Sequence, residues 1–284
     1  MLLAVLFFSL MNVCAKGLEG YPPMEIVFFR CVISIVFSLY WLKKNFVPWQ
    51  GQNNLRLVGR GLAGTLALYL FFVTLHKLPL ATAVTLQYLS PIFTALLAIF
   101  MLNERIRPVQ WLLFGFSFVG VAMLKGFDDR VSWVYLAIGV ASAFFSGLAY
   151  TLVRSLKDKE HPLVVVFYFQ LVGTVAGGVF SIGHFKMPAG WDWALLLAIG
   201  ILAHAGQVNL TKAIQGEKVG VISSLNFLGA ILGSFFGWLL FGEYLTPGNV
   251  LAILLVVAGV LLNLHINARG GGRVRRFLAN LLNR

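Results

Sequence analysis

The sequence predicts an all-α integral membrane protein with ten transmembrane helices, arranged as two inverted repeats of five helices. The chain of 284 residues is 59% hydrophobic and only 11% charged, whereas soluble domains carry about 25% charged residues. Apolar runs of the length that spans a bilayer follow one another almost without pause. A shift of 139 residues carries a motif of the first half onto the second half.

The apolar runs and the short polar segments between them predict the individual spans. These are residues 1–16, 24–42, 58–75, 80–101, 109–125, 133–153, 162–183, 192–213, 219–241 and 248–266. The first run is short and lacks a basic leading segment, so we interpret it as a retained helix rather than a signal peptide.

The repeat is visible at the end of span four, where Glu104 and Pro108 have counterparts in Glu243 and Pro247. The same shift aligns Pro23 with Pro162, Gly61 with Gly200, Gln87 with Asn226 and Gly120 with Gly259. Because each copy holds an odd number of spans, the second copy enters the bilayer upside down, an arrangement typical of secondary transporters. We expect the repeats at residues 1–126 and 131–267, followed by a basic tail at 268–284.

The basic residues behind the net charge of +12 fall mainly on one predicted side of the membrane. Fifteen Lys and Arg residues are assigned to inside loops and the tail, among them Arg60 at the start of span three, against five assigned to outside loops. By the positive-inside rule both termini are cytoplasmic. The charge is therefore a topology signal, and no nucleic-acid partner is expected. The tail is interpreted as an anchor, with a regulatory role as the alternative.

Catalytic motifs are missing from the sequence. It contains no serine-hydrolase, zinc-protease or Walker A pattern, so we expect no enzyme activity, no cofactor and no metal. An integral-membrane enzyme, a channel and a receptor remain the alternatives to a transporter.

Several motifs resemble those of the EamA-like members of the drug/metabolite transporter superfamily. The matching segments are residues 25–30, 78–83, 90–95 and 103–105 in the first repeat and 242–243 in the second. The resemblance implies ten helices in two inverted repeats, with spans one to four and six to nine around a central cavity, and transport of a small molecule by alternating access. Spans five and ten would lie at the periphery, where they would form a homodimer contact. The expected location of the protein is a bacterial inner membrane. Pro91 has no proline counterpart in the second repeat, so the two gates need not be equivalent.

Polar side chains inside a bilayer need a partner, a water-filled cavity or a function. We expect the following to line the cavity: Asn12, Tyr69, Gln87, Tyr88, Tyr150, His204, Gln207, Asn209, Thr211, Lys212 and Asn226. At 100° per residue, His204, Gln207 and Thr211 share one arc of span eight. The alternatives are hydrogen bonds between helices for the amides, core packing for the tyrosines, and a structural role for His204 instead of proton transfer.

Two further cations, not assigned to loops, lie within predicted spans. Lys212 either extends from the cytoplasmic end of span eight into water or faces the cavity, where it would favour a carboxylate or phosphate. Arg30 is interpreted as structural, with Glu25 or a helix end as its partner.

Other residues are predicted to act in architecture and gating. Glu104 and Glu243 oppose the macrodipoles of their helices, which pairing with Arg105 or Arg107, or capping of the next helix, would explain. Gly229, Gly233 and Gly237 form a ridge for close packing or for sliding. The sequence thus favours a carrier of an anionic or zwitterionic metabolite, such as an amino acid or organic acid; export of aromatic or amphipathic compounds is the alternative.

Overall fold

The computed structural model describes residues 2–102, 108–126, 131–216, 219–244 and 246–262, and within these ranges every regular element is a helix. The helices are α1 (Leu2–Lys16), α2 (Pro23–Lys44), α3 (Asn54–Lys77), α4 (Leu80–Gln87), α5 (Ser90–Leu102), α6 (Pro108–Gly126), α7 (Trp133–Ser155), α8 (Pro162–Ser181), α9 (Asp192–Gly216), α10 (Val219–Phe241) and α11 (Pro247–Leu262). The predicted tail, residues 268–284, lies outside the described residues.

Six helical segments of the described ranges are long and apolar enough to cross a membrane, with α4 and α5 forming one of them. Four further apolar helices are shorter: Leu2–Lys16, Pro108–Leu124, Leu228–Phe241 and Pro247–Leu262. The chain is therefore a multi-pass membrane protein. One prediction of position is wrong, because α3 begins at Asn54 and Arg60 is a buried helical residue rather than a residue of an inside loop.

The fourth predicted span is broken between α4 and α5. Pro91 lacks the N–H that would bond the carbonyl of Gln87, four residues earlier, so the ladder is interrupted there. The chain tightens instead, since Tyr88 N–H bonds Thr85 O at 3.0 Å and Leu89 N–H bonds Leu86 O at 3.1 Å. The predicted kink is therefore a short break beside Gln87 and Tyr88.

The helices of the two halves pack against each other in matched pairs. Helix α2 contacts α8, α4 contacts α10, and the contact of α3 with α7 has its counterpart in that of α1 with α9. A Cβ added at Gly61 would lie 2.8 Å from Cβ of Val172, and the equivalent Gly200 packs on Ile33. Because 139 residues separate both Gly61 from Gly200 and Ile33 from Val172, the two contacts are the same contact made twice.

Helices α6 and α11 also contact each other through two glycines at equivalent positions of the two halves. A Cβ at Gly120 would lie 2.9 Å from the carbonyl oxygen of Ala252, and one at Gly259 would lie 2.9 Å from that of Leu113. Ser117 Oγ lies against Gly259 and donates to Val256 O at 3.4 Å. Only glycine leaves room for backbones this close, so the two helices are joined face to face within one chain.

Candidate functional site

A central cavity of about 190 Å³ lies between the two halves. Its lining comes from α1 (Val5, Phe8, Ser9, Met11, Asn12), α2 (Arg30), α3 (Arg60, Gly64, Ala67, Leu68, Phe71), α4 and α5 with the break between them (Val84, Gln87, Tyr88, Ser90), α7 (Ser146, Ala149, Tyr150), α8 (Phe169), α9 (Gln207, Leu210) and α10 (Gly229). Clefts for drug-sized ligands measure roughly 300–1,000 Å³. The cavity therefore fits a small metabolite.

Two arginines face the cavity from neighbouring helices of the first half. Both Arg30 on α2 and Arg60 on α3 are 2% exposed. Their guanidinium carbons lie 5.2 and 4.1 Å from the centroid of the Phe169 ring, contributed by α8 of the second half. Both guanidinium groups therefore contact the same aromatic ring, and so they lie close to each other.

Neither guanidinium has a carboxylate partner among the described residues. Nε of Arg30, and Nε and Nη1 of Arg60, are buried without a hydrogen bond, while Arg30 Nη1 contacts only Cys31 Sγ, at 3.9 Å. A buried ion costs several kcal/mol in desolvation, and a desolvated cation–π contact returns about 2 kcal/mol or more. The ring alone therefore leaves both charges undercompensated.

The local sequence makes room for this arrangement. Glu25, one of the two options for the partner of Arg30, forms no ion pair with it; Glu25 Oε2 accepts the backbone N–H of Lys186 at 2.9 Å. Arg60 was missed as a site residue because it was counted as a loop charge. The sequence does carry one sign that Arg60 is packed inside the protein, which is the glycine one turn later. A Cβ added at Gly64 would lie 2.6 Å from Arg60 Nη1, so the glycine leaves room for the guanidinium.

A second group of polar residues holds α4 against α7. Gln87 Nε2 donates to Ser142 Oγ at 2.7 Å, and Ser146 Oγ donates to Gln87 Oε1 at 3.1 Å. Ser142 Oγ in turn donates to the carbonyl of Ala67 on α3 at 2.7 Å. Gln87 thus both lines the cavity and bonds neighbouring helices. On α1, the buried Asn12 Oδ1 has no partner and is a ready acceptor at the cavity wall.

The structure brings five of the predicted cavity residues together. Asn12, Gln87, Tyr88, Tyr150 and Gln207 line the cavity, although their part in substrate binding stays a prediction. The predicted repeat mate of Gln87, Asn226, has its side chain outside the described part of the chain.

The other predicted cavity residues are absent from the lining. His204 faces α2, where Nδ1 lies 3.3 Å from Ser38 Oγ and the ring packs on Phe37. Asn209 Nδ2 bonds the carbonyl of Ala205 in its own helix at 2.8 Å. Thr211 is fully buried with its hydroxyl unpartnered, and Tyr69 is half-buried.

Lys212 is exposed near the C-terminal end of α9. It lies close enough to His161, which precedes α8, to lower the pKa of that histidine, although burial is the larger cause. The structure therefore favours the interpretation in which Lys212 extends to water. The buried cations that line the cavity are instead Arg30 and Arg60.

Glu243 is tied to the opposite half of the chain rather than to a neighbouring arginine. Its Oε1 lies 2.9 Å from Lys16 Nζ, and its Oε2 accepts the N–H of Leu80 at 2.7 Å, at the start of α4. It therefore caps α4 and not the helix that follows it. The predicted counterpart, Glu104, lies outside the described residues with Arg105 and Arg107.

The glycine ridge of α10 packs on α4. Positions for a Cβ at Gly229, Gly233 and Gly237 fall beside the Tyr88 hydroxyl, Val84 and Leu80 respectively. Close packing is thus evident, and sliding along this face stays a prediction. Among the described residues there is no cluster of His, Cys, Asp or Glu that could hold a metal.

Comparison with known proteins identifies a membrane transporter. The sequence model of the EamA-like transporter family matches residues 1–125 and 132–265. The pseudopaline exporter of Pseudomonas aeruginosa is 34% identical over 263 residues, covering 90% of this chain and 93% of that protein. The riboflavin transporter of Rhizobium johnstonii is 28% identical, covering 85% of this chain and 82% of that protein.

Similarity extends beyond bacteria and to solved structures. Human solute carrier family 35 member G1 is 26% identical, covering 90% of this chain and 75% of that protein. One protein crystal structure superimposes with a TM-score of 0.70 at 19% identity, covering 94% of this chain and 95% of the other, and so shares the fold. The matched family and the named relatives are transporters, not enzymes.

Proposed function

Since this chain belongs to the EamA-like transporter family of the drug/metabolite transporter superfamily, we propose that it carries a small anionic or zwitterionic metabolite across the bacterial inner membrane by alternating access. The observation that carries the proposal is a cavity lined by helices of both halves, with two arginines on its wall that have no carboxylate partner among the described residues. Binding sites at the interface of repeats are what alternating access requires, because each half can then close one side.

An inverted repeat of ten spans is the architecture proposed for this movement. Its support is the pairwise matching of contacts, in which Gly61 with Val172 corresponds to Gly200 with Ile33. The family model also matches the chain twice, over ranges close to the proposed repeats 1–126 and 131–267. The charge bias supports cytoplasmic termini.

The packing of α6 on α11 limits which of their faces a homodimer could use. Their glycines already pack on each other within the chain, so a dimer through these helices would use their outer faces. Those faces carry exposed apolar residues such as Trp111, Leu112 and Leu254.

Export is the proposed direction, by analogy with the pseudopaline exporter. Export of an aromatic compound is the second candidate. The aromatic lining formed by Phe8, Phe71 and Phe169 favours it, and one relative is named a riboflavin transporter.

The test is counterflow in sealed vesicles containing the purified protein. Malate, glutamate, alanine, phenylalanine and riboflavin would each be loaded unlabelled inside and supplied labelled outside. A carrier gives saturable uptake that internal solute accelerates. Uptake without acceleration or saturation would indicate a channel, and chemical conversion without movement would indicate an enzyme; either result overturns the proposal.

A pair of glycine variants provides the structural control. Gly229→Leu adds a side chain at the cavity wall, and we expect it to abolish counterflow. Gly115→Leu adds the same side chain on α6, where nothing lies within 4 Å of the added Cβ, and counterflow should persist. Equal loss in both variants would sink the assignment of the cavity as the transport site.

A further inference from the structure

We propose that the substrate is a dianion whose two carboxylates are bound by Arg30 and Arg60, with its carbon skeleton against the ring of Phe169. This inference rests on the proposed function and names its substrate class. It also separates the two options, anionic and zwitterionic, that the proposed function contains.

The first argument is charge balance. Two guanidinium groups, each 2% exposed, face one small cavity without a carboxylate partner in the described part of the chain. One carboxylate would neutralise one of the two positive charges and leave a net charge of +1 in the buried cavity. Two carboxylates compensate both, and charge-assisted bonds from Arg to carboxylate are the strongest that the cavity can offer.

The second argument concerns the remainder of the wall. Among the described residues, no Asp or Glu lines the cavity, so a substrate ammonium group would have no counter-ion. It would also lie near two guanidinium groups that repel it. The Oδ1 of Asn12 is an unpartnered acceptor and suits a neutral donor such as a hydroxyl or amide of the substrate.

The third argument is the position of Phe169. Its ring centroid lies 5.2 Å from the guanidinium carbon of Arg30 and 4.1 Å from that of Arg60, so an apolar surface adjoins both charges. A short carbon chain or a flat ring that joins two carboxylates meets an apolar surface there. Leu68 and Leu210 extend the apolar wall of the cavity.

The experiment measures binding to the purified protein in lipid nanodiscs. The probes are malonate, succinate, glutarate and adipate, each with the half-amide that lacks one carboxylate and the amino acid of equal length that replaces it by an amine. At its best chain length, the diacid should bind at least about tenfold more tightly than its half-amide, because a hydrogen bond to a charged group is involved. The amino acid should bind more weakly still.

Variants assign this preference to the two arginines. Arg30→Gln and Arg60→Gln should each weaken diacid binding about tenfold or more and bring the diacid and half-amide to similar affinity. Arg56→Gln is the matched control on the same helix, since Arg56 is exposed and bonds the carbonyl of Ser155; its diacid affinity should be unchanged. Arg60→Lys retains a charge without the planar fork and should retain part of the preference, which separates binding from folding.

The outcomes distinguish this inference from the proposed function. If half-amides or amino acids bind as tightly as diacids, or if the diacid preference survives both Gln variants, the dianion inference is wrong. Counterflow of another solute would then still support a carrier. If diacids bind in the expected pattern but no solute shows counterflow, the two arginines form a binding site for a dianion and the transport proposal fails.

Discussion

Lys16 Nζ lies 2.9 Å from Glu243 Oε1, which joins the last turn of α1 to the segment after α10. The ammonium also donates to the carbonyls of Leu75 and Leu78, at 3.3 and 2.9 Å, and the carboxylate accepts the N–H of Leu80. Four helices, α1, α3, α4 and α10, therefore meet in one network of charge-assisted bonds at one end of the bundle.

Removing either partner of this ion pair should destabilise the protein. Lys16 is 7% exposed and Glu243 is 12% exposed, and breaking a buried pair by removing one member costs about 3–5 kcal/mol. We expect Lys16→Gln and Glu243→Gln each to lower the free energy of unfolding by about this amount. The double variant should lose less than the sum of the two, as a double-mutant cycle in denaturant would measure.

The control for this cycle is Glu19, whose carboxylate lies 3.7 Å from the same ammonium but is 52% exposed. Glu19→Gln should cost about 0–1 kcal/mol, because exposed pairs contribute little. A loss as large as that of Glu243→Gln would contradict the central role of the buried partner.

Arg60→Gln should leave the ligand-free protein as stable as the wild type or make it more stable. The change removes an uncompensated buried charge, and the lost contact with Phe169 is the smaller contribution. Thermal unfolding without ligand measures this, with Arg56→Gln as the exposed control. A large drop in melting temperature for Arg60→Gln alone would show that the arginine is structural.

Gly120→Leu and Gly259→Leu should destabilise the protein to similar extents, because the two glycines meet equivalent neighbours across α6 and α11. Overpacking a close contact costs about 1–3 kcal/mol, and here an added Cβ meets backbone atoms that cannot rotate away. Chemical denaturation compares the two with Gly115→Leu on α6, which faces open space. A marked difference between Gly120→Leu and Gly259→Leu would argue against equivalent packing.

Acidification should remove stability through His161. Its Nδ1 accepts the N–H of Leu163 at 3.2 Å and so caps α8, and burial together with Lys212 lowers its pKa below the ordinary value of 6.5. The unfolded chain therefore binds the proton more readily than the folded chain, and stability rises with pH. The contribution is complete above about pH 6.5 and is lost as the pH falls toward the lower pKa of the folded state.

The variant His161→Asn isolates this effect, because asparagine caps helices without titrating. As the pH is lowered from 8 to 5, the melting temperature of the wild type should fall more than that of the variant. A constant difference across that range would show that the cap does not depend on the protonation of His161.

The apolar pattern predicted the helices well because the length of each apolar run can be read from consecutive residues. Residues 192–213, for example, became Asp192–Gly216, and the break near Pro91 follows from one missing N–H. Gln87 and Gln207 could be predicted as candidates because they are polar residues within apolar runs, and both line the cavity.

The direction in which a helical residue faces could not be predicted from its own helix. His204 and Gln207 share an arc of α9, yet Gln207 lines the cavity while His204 meets Ser38 on α2. The burial of Arg60 depends on Phe169, which is more than a hundred residues away in the sequence. Such contacts are fixed by helix packing between the two halves; Gly64 leaves room for the guanidinium of Arg60 but does not indicate which ring it meets.

Arg30 and Phe169 occupy equivalent positions in the two halves, 139 residues apart, and they contact each other. Identical residues at both positions would bring either two like charges or two rings together. With one of each, the pair attracts instead, and only one half contributes the charge. In a frame whose two halves make matched helix contacts, this pair therefore places its positive charge in one half and its aromatic ring in the other.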